Sequence, residues 1–230
     1  MIQAILFDFN GVIIDDERIH LRAYREVLQT HDVELKEEDY FKCLGMDDVA
    51  FTRAAFARAG REVDDETTRA IIDREHELHR SIIETEVPFA PGVITFVKET
   101  SREFALAIVS MAERSEIEHV LAPANLLQHF SVIVTAEPGL NHKPAPDCYR
   151  RALELLNAKR RDDRKLPLVA TECLVIEDAP PGVKAGKAAA MHTLAITNTV
   201  TESLLRSAGA DIVSSSLADW SADAVRLVFN

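Results

Sequence analysis

The stretch Ala4-Ile5-Leu6-Phe7-Asp8-Phe9-Asn10-Gly11-Val12 decides the fold of this chain. Four consecutive apolar residues that end on a carboxylate and a glycine turn predict a short, buried strand. In an open α/β sheet, ligands bind beyond the carboxyl ends of the strands. We therefore interpret Asp8, which stands directly after the apolar run, as a candidate nucleophile.

Three later stretches repeat this arrangement, because each places polar residues at or shortly after the end of a short apolar run. They supply, in order along the chain, Ser110 after the run 104–109, Lys143 after the run 132–134, and Glu177 with Asp178 after the run 173–176. The carboxyl ends of parallel strands lie at one edge of a sheet, so we expect all four groups at that edge.

In this order the four stretches resemble the motifs of the haloacid dehalogenase superfamily. Asp8-Phe9-Asn10-Gly11-Val12 is similar to the first motif, Asp-x-Asp-Gly-[Thr/Val], and residues 177–182 are similar to the acidic fourth motif. The resemblance implies that Asp8 attacks phosphorus and that Lys143 supplies the catalytic cation. The general acid and base of the family stands where this chain has Asn10. An amide cannot exchange a proton at neutral pH, so we expect weakened catalysis.

The resemblance also implies a Mg²⁺ cofactor. Asp8 and Asp178 supply carboxylate ligands, Asn10 keeps the backbone carbonyl that coordinates the metal in the family, and Glu177 is the next acidic candidate. Such oxygen ligands are those that Mg²⁺ prefers. Hydroxyl, ammonium and backbone amide donors bind phosphate oxygens. The predicted phosphate-binding residues are Asn10, Gly11, Ser110, Met111 and Lys143.

Short apolar runs that alternate with helical patterns predict an α/β fold with a Rossmann-like core and a parallel sheet covered on both faces. Between about 17 and 86 the apolar residues recur at helical spacing, which predicts an inserted α-helical cap domain. The core domain then comprises residues 1–16 and 87–230, and the cap domain residues 17–86. A helical cap after the first motif resembles the subclass that includes phosphoglycolate phosphatase and β-phosphoglucomutase.

Three cap residues, His20, Lys42 and Arg53, are candidates for contact with a substrate, although each is also readable as a structural or solvated side chain. In β-phosphoglucomutase a cap loop carries lysine directly before a glycine, whereas here Leu44 precedes Gly45. We therefore expect a small organic phosphate monoester rather than a sugar bisphosphate.

Composition narrows the choice of partner and compartment. The chain has 230 residues, of which 47% are hydrophobic, and a formal net charge of −12. This charge argues against nucleic acid as a partner, because binding to a phosphate backbone needs clustered lysine and arginine.

Three dispersed cysteines suggest neither disulfides nor a zinc site. The segment 76–79 lacks metalloprotease spacing and predicts a solvent-facing helix. Without a leader or membrane span we expect a cytoplasmic monomer or homodimer that binds a small phosphorylated metabolite.

Three functional interpretations stay open. The first is a Mg²⁺-dependent phosphatase or phosphomutase that acts through an aspartyl-phosphate on Asp8 and is slowed by Asn10. The second is a protein that binds metal and phosphate with little or no turnover. A haloacid dehalogenase ranks last, because such relatives usually carry Tyr at the position of Asn10, followed by Gly-Thr-Leu. Asn10 fits both a natural lineage and an introduced Asp-to-Asn change that traps a complex.

Overall fold

The computed structural model describes residues 1–43, 46, 48–83, 85, 87–135 and 141–229. The chain forms two compact units, which we call the sheet unit (Met1–Asp15 and Phe89–Asn230) and the helical unit (Asp16–Pro88). Leu44, Gly45 and Glu86, on which the predictions about the cap loop and the end of the insertion rest, lie outside the described residues. Assignment of the two units as core and cap domains stays a proposal.

The sheet unit is built on parallel strands. Those of the described chain are β1 (Ala4–Phe7), β2 (Ala105–Val109), β3 (Phe130–Val134), β4 (Cys173–Glu177), β5 (His192–Ile196) and β6 (Ile212–Ser214). They form one sheet in the order β3-β2-β1-β4-β5-β6. In the centre, Phe7 lies opposite Ile108 of β2 and Ile176 of β4. The predicted α/β class with a parallel sheet is therefore confirmed. The strands that precede Asp8 and Ser110 and the strand that ends at Glu177 are neighbours.

Helices account for most of the remaining described residues. In the helical unit they are α1 (Glu17–Gln29), α2 (Glu37–Phe41), α3 (Asp48–Arg58) and α4 (Asp65–Ile83), and in the sheet unit α5 (Val93–Thr100), α6 (Arg114–Leu121), α7 (Asp147–Asp162), α8 (Pro180–Ala188), α9 (Glu202–Ser207) and α10 (Ala222–Val228). Within the described ranges, none of these helices combines the length and the apolar character needed to cross a membrane.

The central strands β1, β2 and β4 are largely apolar, and nearly all of their residues are buried. One continuous core cluster joins Leu6, Val109 and Val175 of the central strands to Ala152 and Leu156 of α7, and each of these residues is almost fully buried. Strands buried on both faces need continuous apolar sequence, which is the pattern of β1, β2 and β4.

Glycine allows α8 to approach the sheet closely. A Cβ atom at Gly186 would lie 3.0 Å from Cγ2 of Thr193 and 3.3 Å from Cβ of Val175. Two prolines, Pro180 and Pro181, open this helix at positions where a missing amide proton costs nothing.

The helical unit has its own core, to which α1 contributes Leu21, Tyr24, Val27 and Leu28. On α4 the buried residues are Thr68, Ile71, Glu75, His79 and Ile83. The prediction of a solvent-facing helix at 76–79 is therefore wrong for His79, which is 4% exposed. His79 follows Glu75 by four positions, so both side chains share the buried face of the helix.

Candidate active site

Asp8 directly follows β1 and lies where that strand is still paired with β4. Its backbone N–H donates to the carbonyl oxygen of Ile176 at 3.0 Å, and its side chain is 16% exposed. The chain then turns at Gly11, which has φ +73°. A Cβ atom at Gly11 would lie 1.8 Å from Oδ2 of Asp178. Only glycine combines this conformation with so close an approach, so the turn brings the first motif against the fourth.

Lys143 links three elements of the site. Its Nζ atom lies 3.0 Å from Oδ1 of Asp8 and 2.7 Å from Oε1 of Glu177, and it donates to the carbonyl oxygen of Val109 at 3.1 Å. Burial by itself would lower the pKa of Lys143, but the carboxylates of Asp8 and Glu177 raise it above the ordinary lysine value. The side chain therefore stays cationic between two acidic groups.

Glu177 ends β4 and is 1% exposed. Burial, together with the negative charge of Asp8, raises the pKa of Glu177, while hydrogen bonds from Lys143 and Tyr149 act in the opposite direction. Both of these donors bind Oε1. The other oxygen, Oε2, is buried and has no hydrogen-bond partner among the described residues. Room for this carboxylate comes from Gly182, where a Cβ atom would lie 1.9 Å from Oε1.

Asp178 and Ser110 complete the edge of the sheet. Asp178 is 3% exposed, and its Oδ2 accepts a hydrogen bond from the hydroxyl of Thr199. Ser110 follows β2 and is buried; its N–H donates to the carbonyl oxygen of Val134, and its Oγ accepts from the N–H of Ala112 at 3.1 Å. Met111, the next residue, is 36% exposed. Ser110 therefore shapes a local turn at the strand end.

The acidic residues of the site fit a divalent cation. Asp8, Glu177 and Asp178 each offer a carboxylate oxygen, and these atoms all lie within 4.8 Å of one another. The buried Oε2 of Glu177 is one acceptor that a bound cation or its water would satisfy. An all-oxygen donor set is the kind that hard cations such as Mg²⁺ prefer.

Sequence reasoning missed three side chains that contact the site. Asn198 donates to the carbonyl oxygen of Gly11 at 2.8 Å, and Thr199 binds Asp178. Both residues follow β5. The expectation that ligands bind beyond the carboxyl ends of the strands therefore applied to them as well. Tyr149, which binds Glu177, carries no such signal, because within the helical pattern of α7 it reads as a packing residue.

The three predicted cap residues lie in the helical unit and pair there with carboxylates. Lys42 lies 3.4 Å from Asp39, and Arg53 pairs with Asp65 on the surface. The Nδ1 atom of His20 lies 2.8 Å from Oε1 of Glu75, which is buried. Contact of any of these residues with a substrate stays a prediction.

Comparison with known proteins identifies relatives of this chain. The "Haloacid dehalogenase-like hydrolase" family model matches residues 5–196. The chain is 30% identical over 217 residues to "Protein SUPPRESSOR OF QUENCHING 1, chloroplastic" of Arabidopsis thaliana; this alignment covers 92% of the chain but only 19% of that protein. It is 29% identical over 191 residues to "Fructose-1-phosphate phosphatase YqaB" of Escherichia coli (strain K12), covering 83% of the chain and 94% of that enzyme.

Two solved structures have the same fold. A β-phosphoglucomutase from Clostridium difficile superposes with a TM-score of 0.81 at 19% identity, covering 100% of this chain and 98% of that one. An Asp-to-Asn mutant of CbbY from Rhodobacter sphaeroides, in complex with xylulose-(1,5)bisphosphate, gives a TM-score of 0.76 at 25% identity and covers 95% and 96% of the two chains. The chain therefore belongs to the haloacid dehalogenase-like hydrolases, and it is a hydrolase of the phosphatase type.

Proposed function

We propose that this protein is a Mg²⁺-dependent phosphatase that acts on a small phosphorylated metabolite through an aspartyl-phosphate on Asp8, and that Asn10 slows it. The observation that carries this proposal is the contact of Lys143 with both Asp8 and Glu177 at the carboxyl edge of the sheet. A cation between a partly exposed carboxylate and a buried one suits the binding of a phosphoryl group beside a nucleophile.

In the first step an oxygen of Asp8 attacks phosphorus, and the bond from phosphorus to the leaving oxygen breaks. Lys143 keeps the attacking carboxylate in place and offers positive charge to the phosphoryl oxygens, while Ser110 and the backbone amides of Gly11 and Met111 are the proposed donors to the remaining oxygens. A Mg²⁺ ion held by Asp8, the Asn10 carbonyl and Asp178, with Glu177 adjacent, would neutralise further phosphoryl charge.

Both halves of the reaction need a proton carrier. The leaving oxygen takes up a proton in the first step, and the water that hydrolyses the aspartyl-phosphate loses one in the second. The amide of Asn10 performs neither task, so solvent must carry both protons. A leaving group that is stable as an anion needs no proton in the first step. The attacking water must still lose a proton in the second step.

We therefore expect burst kinetics with p-nitrophenyl phosphate. The first turnover should release about one p-nitrophenolate per active site, because this leaving group needs no general acid, and later turnovers should be much slower. Rapid-mixing absorbance measures the burst, and mass spectrometry after acid quenching locates the phosphoryl group on Asp8. The Asp8→Asn variant is the control and should show neither burst nor adduct.

A second candidate function is binding of metal and phosphate with little or no turnover, which the missing proton carrier at Asn10 favours. Absence of both burst and adduct in a protein that still binds inorganic phosphate would support this candidate against the phosphatase. Phosphomutase activity would instead appear as transfer of the phosphoryl group from Asp8 to a sugar phosphate.

The metal assignment has its own test. The Asp178→Ala variant should lose Mg²⁺ affinity by more than the roughly 10- to 100-fold that loss of an outer-sphere partner typically costs, because it removes a direct ligand. Titration calorimetry measures the affinity. Asp211→Ala is a matched control, since Asp211 pairs with Lys187 at a surface position elsewhere in the sheet unit. Equal Mg²⁺ affinity in Asp178→Ala and in the unchanged protein would contradict this ligand set.

A further inference from the structure

The helical unit contains a cluster of two histidines and two carboxylates that the proposed phosphatase chemistry does not use. Asp16 precedes the first residue of α1 and His20 lies four positions later, while Glu75 and His79 lie four positions apart on α4. Residues with this spacing share one face of a helix. Two such pairs, one from each helix, therefore face each other inside the unit.

The ring nitrogens converge on one carboxylate oxygen. Oδ2 of Asp16 lies 3.0 Å from Nε2 of His79 and 3.3 Å from Nε2 of His20. Zinc bonds to imidazole nitrogen and carboxylate oxygen measure about 2.0–2.2 Å, so neighbouring ligand atoms of a tetrahedral site lie about 3.3 Å apart. The two short separations around Asp16 match the edges of such a tetrahedron.

Glu75 is placed as the outer-sphere partner that a metal-bound histidine requires. Its Oε1 lies 2.8 Å from Nδ1 of His20, on the side of the ring opposite the nitrogen that faces Asp16. A histidine that ligates a metal almost always donates its other N–H to a carboxylate or carbonyl, which holds the free nitrogen toward the metal. Oε2 of Glu75 is buried without a hydrogen-bond partner among the described residues, so it remains available to a metal-bound water.

The charge of the cluster is compatible with a dication. The side chains of Asp16 and Glu75 are both 0% exposed, and buried carboxylates need compensating positive charge. In the structure His20 and His79 pair with these carboxylates, and one divalent ion bound by the neutral imidazoles would balance the same two charges. The side chain of His20 is 23% exposed, so the cluster is in contact with solvent at this residue.

We propose that Asp16, His20 and His79 form a binding site for Zn²⁺ or a similar transition-metal ion, with Glu75 as its outer-sphere partner. Imidazole ligands select such ions over Mg²⁺, so this site differs in chemistry from the all-oxygen site at Asp8. The two rings stack with centroids 3.8 Å apart and planes 13° from parallel. Binding requires them to tilt out of this stack so that both Nε2 lone pairs point at one ion.

The test is titration of the full chain, freed of metal, with Zn²⁺ in the presence of excess Mg²⁺, which occupies the all-oxygen site. We expect one equivalent of Zn²⁺ to bind. Glu75→Gln should weaken binding roughly 10- to 100-fold, as loss of an outer-sphere carboxylate does, and His20→Gln and His79→Gln should weaken it further. Arg74→Gln is the matched control on the same helix, because that side chain is 58% exposed and pairs with Glu77, and it should bind like the unchanged protein.

A measurement on the unchanged protein keeps the proposal falsifiable if a variant fails to fold. X-ray absorption of the Zn²⁺-bound chain should show two imidazole ligands with nitrogen or oxygen neighbours only. An all-oxygen shell, absence of binding, or Zn²⁺ binding that is lost in Asp178→Ala but retained in His79→Gln would each overturn the proposal. Failure of the phosphatase proposal would leave this result unchanged, because Asp8 takes no part in the test.

Discussion

Asn10→Asp should raise steady-state turnover of p-nitrophenyl phosphate by about 10²- to 10⁴-fold, the usual contribution of general acid–base catalysis. The carboxylate would stand two residues from Asp8, where it can accept a proton from the water that attacks the aspartyl-phosphate. With a sugar phosphate the gain should be larger still, because an alkoxide leaving group also needs a proton in the first step. Continuous assays of p-nitrophenolate and of inorganic phosphate measure the two gains.

Two controls separate proton transfer from a general change in the turn after β1. Asn10→Ala keeps the backbone carbonyl without adding a carboxylate, so it should give no gain. Asn10→Asp combined with Asp8→Asn should be inactive, because the nucleophile starts both steps. If Asn10→Asp stays at background across a panel of small phosphate esters while inorganic phosphate still binds, the protein is a binding protein for those compounds.

Lys143→Met should lower the free energy of unfolding by about 3–5 kcal/mol, measured by urea denaturation in EDTA. The lysine side chain is 9% exposed and is the cation between Asp8 and Glu177. Without it, the two carboxylates face each other with little solvent to screen them. The loss should shrink as the pH falls, because Glu177 can then bind a proton and become neutral.

The Lys143→Met/Glu177→Gln double variant should recover part of this loss, since it removes one of the two buried charges. A coupling energy of about 1 kcal/mol or more would assign the effect to the ion pair rather than to lost packing. Lys187→Met is the control, because Lys187 pairs with Asp211 at a position where its side chain is 37% exposed, and such pairs contribute about 0–1 kcal/mol. Equal losses in Lys143→Met and Lys187→Met would refute the buried pair as a source of stability.

Much of the architecture could be predicted because it depends on short-range patterns. The apolar runs near Asp8, Ser110 and Glu177 predicted strands that the structure confirms, since a strand buried on both faces must be apolar throughout. It was harder to predict which side chains of α4 are buried. Its buried positions include Glu75, a residue type that is rarely buried, and His79. These groups are buried because α1 brings Asp16 and His20 to meet them, which is information from another part of the chain.

The sequence by itself determined the parallel α/β class, the order of the four motifs and the presence of an amide, Asn10, where the family has a carboxylate. Each of these depends on residue type and local spacing. Tertiary structure alone decided which groups touch: Lys143 between Asp8 and Glu177, Tyr149 on Glu177, and Thr199 on Asp178. These contacts join residues from separate strands and helices. Their geometry follows from the register of the parallel strands and the packing of α7, neither of which a local pattern encodes.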